Sequence, residues 1–385
     1  MAREKLQSWI ARAVLVAHTI AVACLVSYAW RHPLGNWDII PYAAIVRSGS
    51  GVTPAEASRE AYQDVRAYVG DEKFRTLVDG GDQDGSYRAA VHGNPVALED
   101  NLRFYSVKPL YIVLSRWAFG LTGNAASAAV LVSALAFGVL FAAFPFLFRR
   151  PLIAVAGSWV LAMSGTPPLW LIVSTATPDS LAMLLVTACA LAGTRGRHPN
   201  FAAALGVAAI LARPDAAFII VPLLVGFAWQ RRRQGEATPL LAGAGASLVI
   251  FLYLGAQAMP WSTLFWHTFV AREPFPSDIV HHVTLVEYWA VVQRTAHAIV
   301  EPRPVAFMLA GLAAVVVPRL RSPVATPGQW MAAVAVAAML VHYLVFPIDE
   351  YGYERMFLAS YMLVLAAALL ASEGTREGTA IGVSP

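Results

Sequence analysis

The sequence predicts an all-α polytopic membrane protein, with about ten transmembrane helices of roughly 20 residues each and a large first extracytoplasmic loop. Three observations carry that expectation. Of 385 residues, 58% are hydrophobic and 14% charged, whereas soluble domains hold about 45–50% apolar and about 25% charged residues. The excess is gathered into blocks as long as a bilayer core asks of a helix. Basic residues fall in short clusters between the blocks, the pattern that keeps loops on the cytoplasmic side. A net charge of +4 distributed in this way does not point to nucleic acid. Both cysteines, Cys24 and Cys189, lie inside apolar blocks, so neither a disulfide framework nor a zinc site is indicated. The chain reads as one transmembrane domain over 1–385.

The first block, 8–30, follows "MAREK" and has no small-residue cleavage site near its end, so it reads as a retained span. With Arg3, Lys5 and Arg12 in the cytoplasm, this span delivers Asp38 to the far side. Residues 31–107 then form the first extracytoplasmic loop, with amphipathic helices of its own. After Lys108–Pro109 the chain re-enters, and "AASAAVLVSALAFGVLFAAFPFLF" returns it to Arg149–Arg150. The blocks 151–172 and 180–192 go out and back, ending at Arg195 and Arg197.

Residues 200–229 admit two readings, because "ARPD" interrupts them at Ala212–Asp215. As one helix they would be about 45 Å long and would separate Arg197 from Arg231. As a hairpin turning at Pro214 they keep both on one side, which is the preferred reading. A further pair of spans brackets the second extracytoplasmic loop, 260–303, and ends at Arg319 and Arg321. The last two spans flank "PIDEYGYER", with both termini cytoplasmic.

This topology places the carboxylates beside span ends on one face: Asp38, Asp179, Asp215, Asp349, Glu350 and Glu354. Ionisable groups next to spans are costly and mark sites. Asp38 can be an interfacial residue anchored by Trp37 and Tyr42. It can also be a general base, its ordinary pKa of about 3.9 raised by partial burial. Lys108, flanked by Tyr105 and Tyr111, can snorkel to headgroups or hold a lipid phosphate. "STATPDSLAM" reads as a helix start, with Thr177 as cap, Pro178 in first position and Asp179 favoured by the macrodipole. "ARPDAAF" repeats the Pro-Asp start and adds Arg213 at membrane level, where a guanidinium needs Asp215, Asp38 or a phosphate. Arg355 stands directly against "MFLASYMLVL", a placement that favours a phosphate or substrate contact.

Weaker signals carry less. Asp82-x-Asp84 is flanked by glycines and reads as a turn, off the calcium-loop spacing. His267, His281, His282 and His297 match no zinc motif and read as solvated loop histidines. The tryptophans near outer span ends, including Trp170, Trp261 and Trp266, read as belt residues before sugar-stacking ones. No GxxxxGK[ST] loop is present, which removes the sign of an ATP-driven pump.

Taken together, Asp38 soon after the first span, the loop ending "FYSVKPLY", "TPDSLA", "ARPDA" and "YERMFLASY" resemble the C-type (GT-C) membrane glycosyltransferases of bacteria. The resemblance covers nearly the whole chain in layout, and "PDS" and "RPD" carry most of it. It implies a cell-envelope enzyme of the bacterial inner (plasma) membrane that moves sugar from a polyprenyl-phosphate donor to a glycan, lipid or protein acceptor outside the cytoplasm. It further implies Asp38 as catalytic base and Lys108, Arg213 and Arg355 as ligands of the donor phosphate. Trp37, Tyr42, Tyr105, Asp179, Asp215 and Glu354 then contact substrate. Asp38 is followed by Ile39 rather than a second acid, a departure that leaves a divalent metal open, and no other cofactor is implied. Three other classes fit the same features: a lipid-linked glycan polymerase or ligase, a transporter or flippase of lipid-linked substrates, and a non-catalytic assembly partner with the polar first loop as its docking surface.

Overall fold

Apolar blocks free of internal helix breakers satisfy their backbone hydrogen bonds within themselves, the only economical course inside a bilayer. In the computed structural model, residues 2–49, 51–79, 85–164, 168–195, 198–232, 235–319, 326–347 and 351–374 are described, and every regular element among them is helical. The first block forms one helix, α1 (Ala2–Arg31). An outer layer follows: α2 (Ile39–Ser48), α3 (Pro54–Val69), α4 (Asp71–Asp79), α5 (Gly85–Gly93), α6 (Pro95–Asn101) and α7 (Pro109–Thr122). Its boundaries follow from local chemistry. Thr53 and Glu56 close a capping box ahead of α3, and Asn94 caps α6 just before Pro95. Gly123, at φ 65°, ends α7 in the left-handed region.

The remaining helices build a bundle: α8 (Ala125–Ala143), α9 (Pro151–Met163), α10 (Asp179–Arg195), α11 (Pro199–Ala212), α12 (Ala217–Arg231) and α13 (Ala237–Gln257) come first. After them stand α14 (Trp261–Phe269), α15 (Leu285–Ile299), α16 (Pro302–Arg319), α17 (Pro327–Val345) and α18 (Tyr351–Gly374). Five stretches are long and apolar enough to cross a membrane: Leu6–Arg31, Ala125–Leu147, Ala237–Gln257, Pro327–Val345 and Arg355–Glu373. A sixth arises if α15 and α16, bent by 91°, count as one span. The helices α9 to α12 have 13, 17, 14 and 15 residues, short of the roughly 20 that a straight span needs. The chain is therefore a helical membrane protein with five to six candidate spans.

Residues 200–229 form two helices. A 3-10 turn at Pro214–Ala216 separates α11 from α12, and Arg231 Nη2 donates to the Gly193 carbonyl at 2.6 Å. The end of α12 thus lies beside the end of α10, which puts Arg195 and Arg231 at the same end of the bundle.

Two hydrophobic cores result. One runs through the bundle, around Phe141, Phe144, Phe227, Phe357 and Tyr361. The other joins the outer layer to the first half of α8, around Ile39, Ile40, Tyr42, Tyr111 and Val130. An ion pair pins the layer in place: Arg47 gives two hydrogen bonds of 2.7 Å to Asp64, which also accepts from the Ala125 amide at 2.9 Å. Trp30, Leu184 and Leu185 pack against both cores. The charged residues singled out above collect at this seam.

Candidate functional site

Asp38 immediately precedes α2, yet its carboxylate makes no capping bond. It is turned instead toward the bundle. Arg355 Nη1 donates to its Oδ2 at 2.6 Å, and the Tyr105 hydroxyl donates to its Oδ1 at 3.0 Å. Burial pushes the Asp38 carboxyl up, but Arg355, joined by Lys108 and Tyr105, more than offsets this and holds it below the usual carboxylate range. The expected upward shift is thereby reversed, because burial here comes with a guanidinium.

Lys108 comes from the turn before α7. Its ammonium lies 5.1 Å from the centroid of the Tyr105 ring and 5.4 Å from that of Tyr42, within cation–π range. Among the described residues its one hydrogen bond, to the Phe104 carbonyl, is long at 3.4 Å. Burial is the main cause that lowers its pKa to about 8.

Behind Arg355 the network continues into the bundle. Arg355 Nε is 3.8 Å from Asp179 Oδ2, and Arg213 pairs with Asp179 Oδ1. Arg213 Nε also donates to Asp215 Oδ1 at 2.7 Å. His342 Nε2 lies 3.3 Å from Asp215 Oδ2, while its Nδ1 faces the Ala338 carbonyl at 2.9 Å. The line Tyr105–Asp38–Arg355–Asp179–Arg213–Asp215–His342 thus joins the outer layer to α10, the α11–α12 turn, α17 and α18. Among the described residues, three carboxylates face three cations at neutral pH once Lys108 is counted, so the cluster balances without the histidine.

A small cavity of about 20 Å³ opens among Asp179, Arg213, Asp215, His342 and Arg355, room for about one water. Asp179 Oδ2 is buried against it and accepts no hydrogen bond among the described residues. A buried carboxylate oxygen without a donor is costly, and it is the polar atom here most available to a hydroxyl.

The expected site residues fare differently. Asp38, Lys108, Tyr105, Asp179, Arg213, Asp215 and Arg355 are brought together, although Arg213 is saturated by two carboxylates rather than left for an anion. Tyr42 is 2% exposed, edge-on to Tyr105 and Tyr111, so it supports the site from below and offers no face to a sugar. Trp37 packs on Tyr87 at 5.8 Å and under Arg88, within the outer layer. The side chain of Glu354 lies outside the described residues, as do Asp349, Glu350, Asp82 and Asp84. Thr177 does not cap α10. Its Oγ1 meets Thr175 Oγ1 at 3.1 Å, and its carbonyl accepts from Ser133 at 2.6 Å; α10 begins at Asp179 itself.

His267 is also corrected. It is 7% exposed, held between the rings of Tyr87 and Phe104 where the second loop meets the first. His342 escaped notice in the sequence. The signal was there: it is the one Asp, Glu, Lys, Arg or His inside the apolar helix α17, and such a residue marks a site by default. Among the described residues, no three histidine, cysteine or acidic side chains cluster as metal ligands would.

No family profile, no curated protein and no solved structure is significantly similar to the chain.

Proposed function

We propose that the protein is a membrane glycosyltransferase of the C-type layout, moving a sugar from a polyprenyl-phosphate donor to an acceptor hydroxyl on the extracytoplasmic face with inversion. The carrying observation is the Arg355–Asp38 contact at 2.6 Å, which unites the first outer loop with the final span. Counting the short helices α9 to α12 as four passes, with α11 and α12 as the two arms of the hairpin at Pro214, and the bent α15–α16 pair as one, adds up to ten passes with the five long spans, the number the basic clusters imply. Both termini are then cytoplasmic, in a bacterial inner membrane.

The donor's activated anomeric carbon needs no nucleotide. Its phosphate meets Lys108, which holds no carboxylate within ion-pairing distance among the described residues, and competes with Asp38 for Arg355. As Arg355 turns to the phosphate, Asp38 loses the partner that keeps its basicity low. The base thus gains strength when the donor is bound. The acceptor oxygen attacks the anomeric carbon, its proton passes to Asp38, and the carbon–oxygen bond to phosphate breaks. The electron pair leaves on the phosphate, stabilised by preorganised cations. A single base acting in line inverts the configuration, since retention uses two closely spaced carboxyl groups acting on one carbon. Asp179 Oδ2 is placed to accept from a sugar hydroxyl. Arg213 orders Asp179 and Asp215, so it acts on the phosphate through Arg355 before touching it.

The test is incubation of the purified protein with a polyprenyl-phosphate sugar and a panel of glycan, lipid and protein acceptors. Transfer by the wild type and its loss in Asp38→Asn support the reading. Donor that is bound or moved across vesicle membranes with no glycosidic bond formed in any acceptor overturns it in favour of a transporter.

A further inference from the structure

The opposite end of the bundle carries a second, larger cavity, of about 910 Å³. It lies between the end of α8, the end of α10, the start of α11 and the end of α18. The helix α10 separates it from Asp179 by its 17 residues, or about 25 Å. Its walls are apolar: Phe146, Phe148, Phe201 and Leu370 line it, and Phe146 and Phe201 are 59% and 58% exposed. Its rim is basic, with Arg149, Arg195 and His198. Among the described residues one acid stands there, Glu373, which accepts from the Arg149 backbone amide and leaves the two arginines in excess of it by one charge. His198 sits at the N-terminus of α11 without a side-chain capping bond, so the positive end of that helix adds to the same rim.

We propose that this cavity is a binding site for an anionic diacyl phospholipid of the surrounding leaflet. The volume lies within the range of about 300–1,000 Å³ found for ligand sites. Apolar walls open toward the bilayer take acyl chain, Arg195 and the start of α11 take the phosphate, and Arg149 adds positive potential to the same rim. The basic ends of the helices face the leaflet whose surface is negative, so charge complementarity selects the occupant. The site is remote from Asp38 and does not depend on the proposed transfer reaction.

Native mass spectrometry of the full-length protein, delipidated and re-equilibrated with equal amounts of phosphatidylglycerol and phosphatidylcholine of the same chains, tests this. Wild type retains phosphatidylglycerol preferentially. Each of Arg149→Gln and Arg195→Gln lowers that preference roughly fivefold, the effect of one surface guanidinium. Ala192→Trp, which fills the cavity wall without altering charge, reduces retention of both lipids. Retention of the two lipids in equal amounts by wild type overturns the proposal. So does unchanged preference in Arg149→Gln and Arg195→Gln, or unchanged retention in Ala192→Trp, when these variants keep the elution profile of the wild type.

Discussion

Arg355 and Asp38 stand 317 positions apart in sequence and 2.6 Å apart in space. The pair joins the two hydrophobic cores at a point where neither core can shield a lone charge. Each residue is what makes the burial of the other tolerable, since a partner removed from a buried pair leaves an uncompensated ion.

Asp38→Asn keeps the size of the side chain and removes its basicity. Turnover is expected to fall by about 10²- to 10⁴-fold, the contribution of a positioned general base, while donor binding holds or tightens because Arg355 is released. Steady-state kinetics with a lipid-phosphate sugar, read beside donor affinity, separates the two effects. Near-normal turnover would remove Asp38 from the chemistry.

Lys108 carries a pH signature. Its ammonium is lost above about pH 8, so the KM for donor is expected to rise from that pH upward in the wild type, and this limb to disappear in Lys108→Arg. The sign for stability is the opposite. The folded state gives up this proton more readily than an unfolded chain, whose lysine titrates near 10.5. The cost of burying the charge is complete below pH 8 and fades as pH rises toward 10.5. A donor KM flat from pH 7 to 10 would contradict the assigned role.

Arg213 bonds two carboxylates, and Asp179 is only 4% exposed. Arg213→Ala is therefore expected to destabilise by about 3–5 kcal/mol, as breaking a buried pair does. Adding Asp179→Asn should recover part of that loss. A thermal-unfolding cycle over the four proteins measures the coupling, and strictly additive losses would show that the contact is not energetic.

Gly226 lets Trp330 cross α12 and donate to the Pro222 carbonyl at 3.0 Å. A methyl at this position meets the indole directly. Gly226→Ala is expected to cost about 1–3 kcal/mol through overpacking, seen as a lower thermal midpoint. An unchanged midpoint would mean that α17 shifts freely against α12.

The helices were legible because apolar blocks and Pro-Asp starts act locally. So was the membership of the charged cluster, since Asp38, Asp179, Arg213 and Arg355 each sit beside an apolar block where water cannot serve them. Their pairing was not legible. Whether Arg213 meets Asp215, Asp38 or a phosphate depends on how α10, α12 and α18 pack, which no local pattern encodes. The lowered basicity of Asp38 followed from its non-local contact with Arg355, and the burial of His267 from a separate one, with Tyr87 and Phe104. Helix length supports five to six spans, while charge alternation implies ten, because it counts crossings without regard to how long each helix is.

The lateness of Arg355 in the chain has a consequence for biosynthesis. At about 5–20 residues per second, the 317 positions that follow Asp38 take roughly 15–60 s to emerge. Through that interval the nascent protein carries Asp38 without its guanidinium, whereas Asp179 gains Arg213 soon after it is made. Closure of the Asp38–Arg355 pair therefore waits until the last helix has been made, so the first loop and the final span can dock only at the end of synthesis.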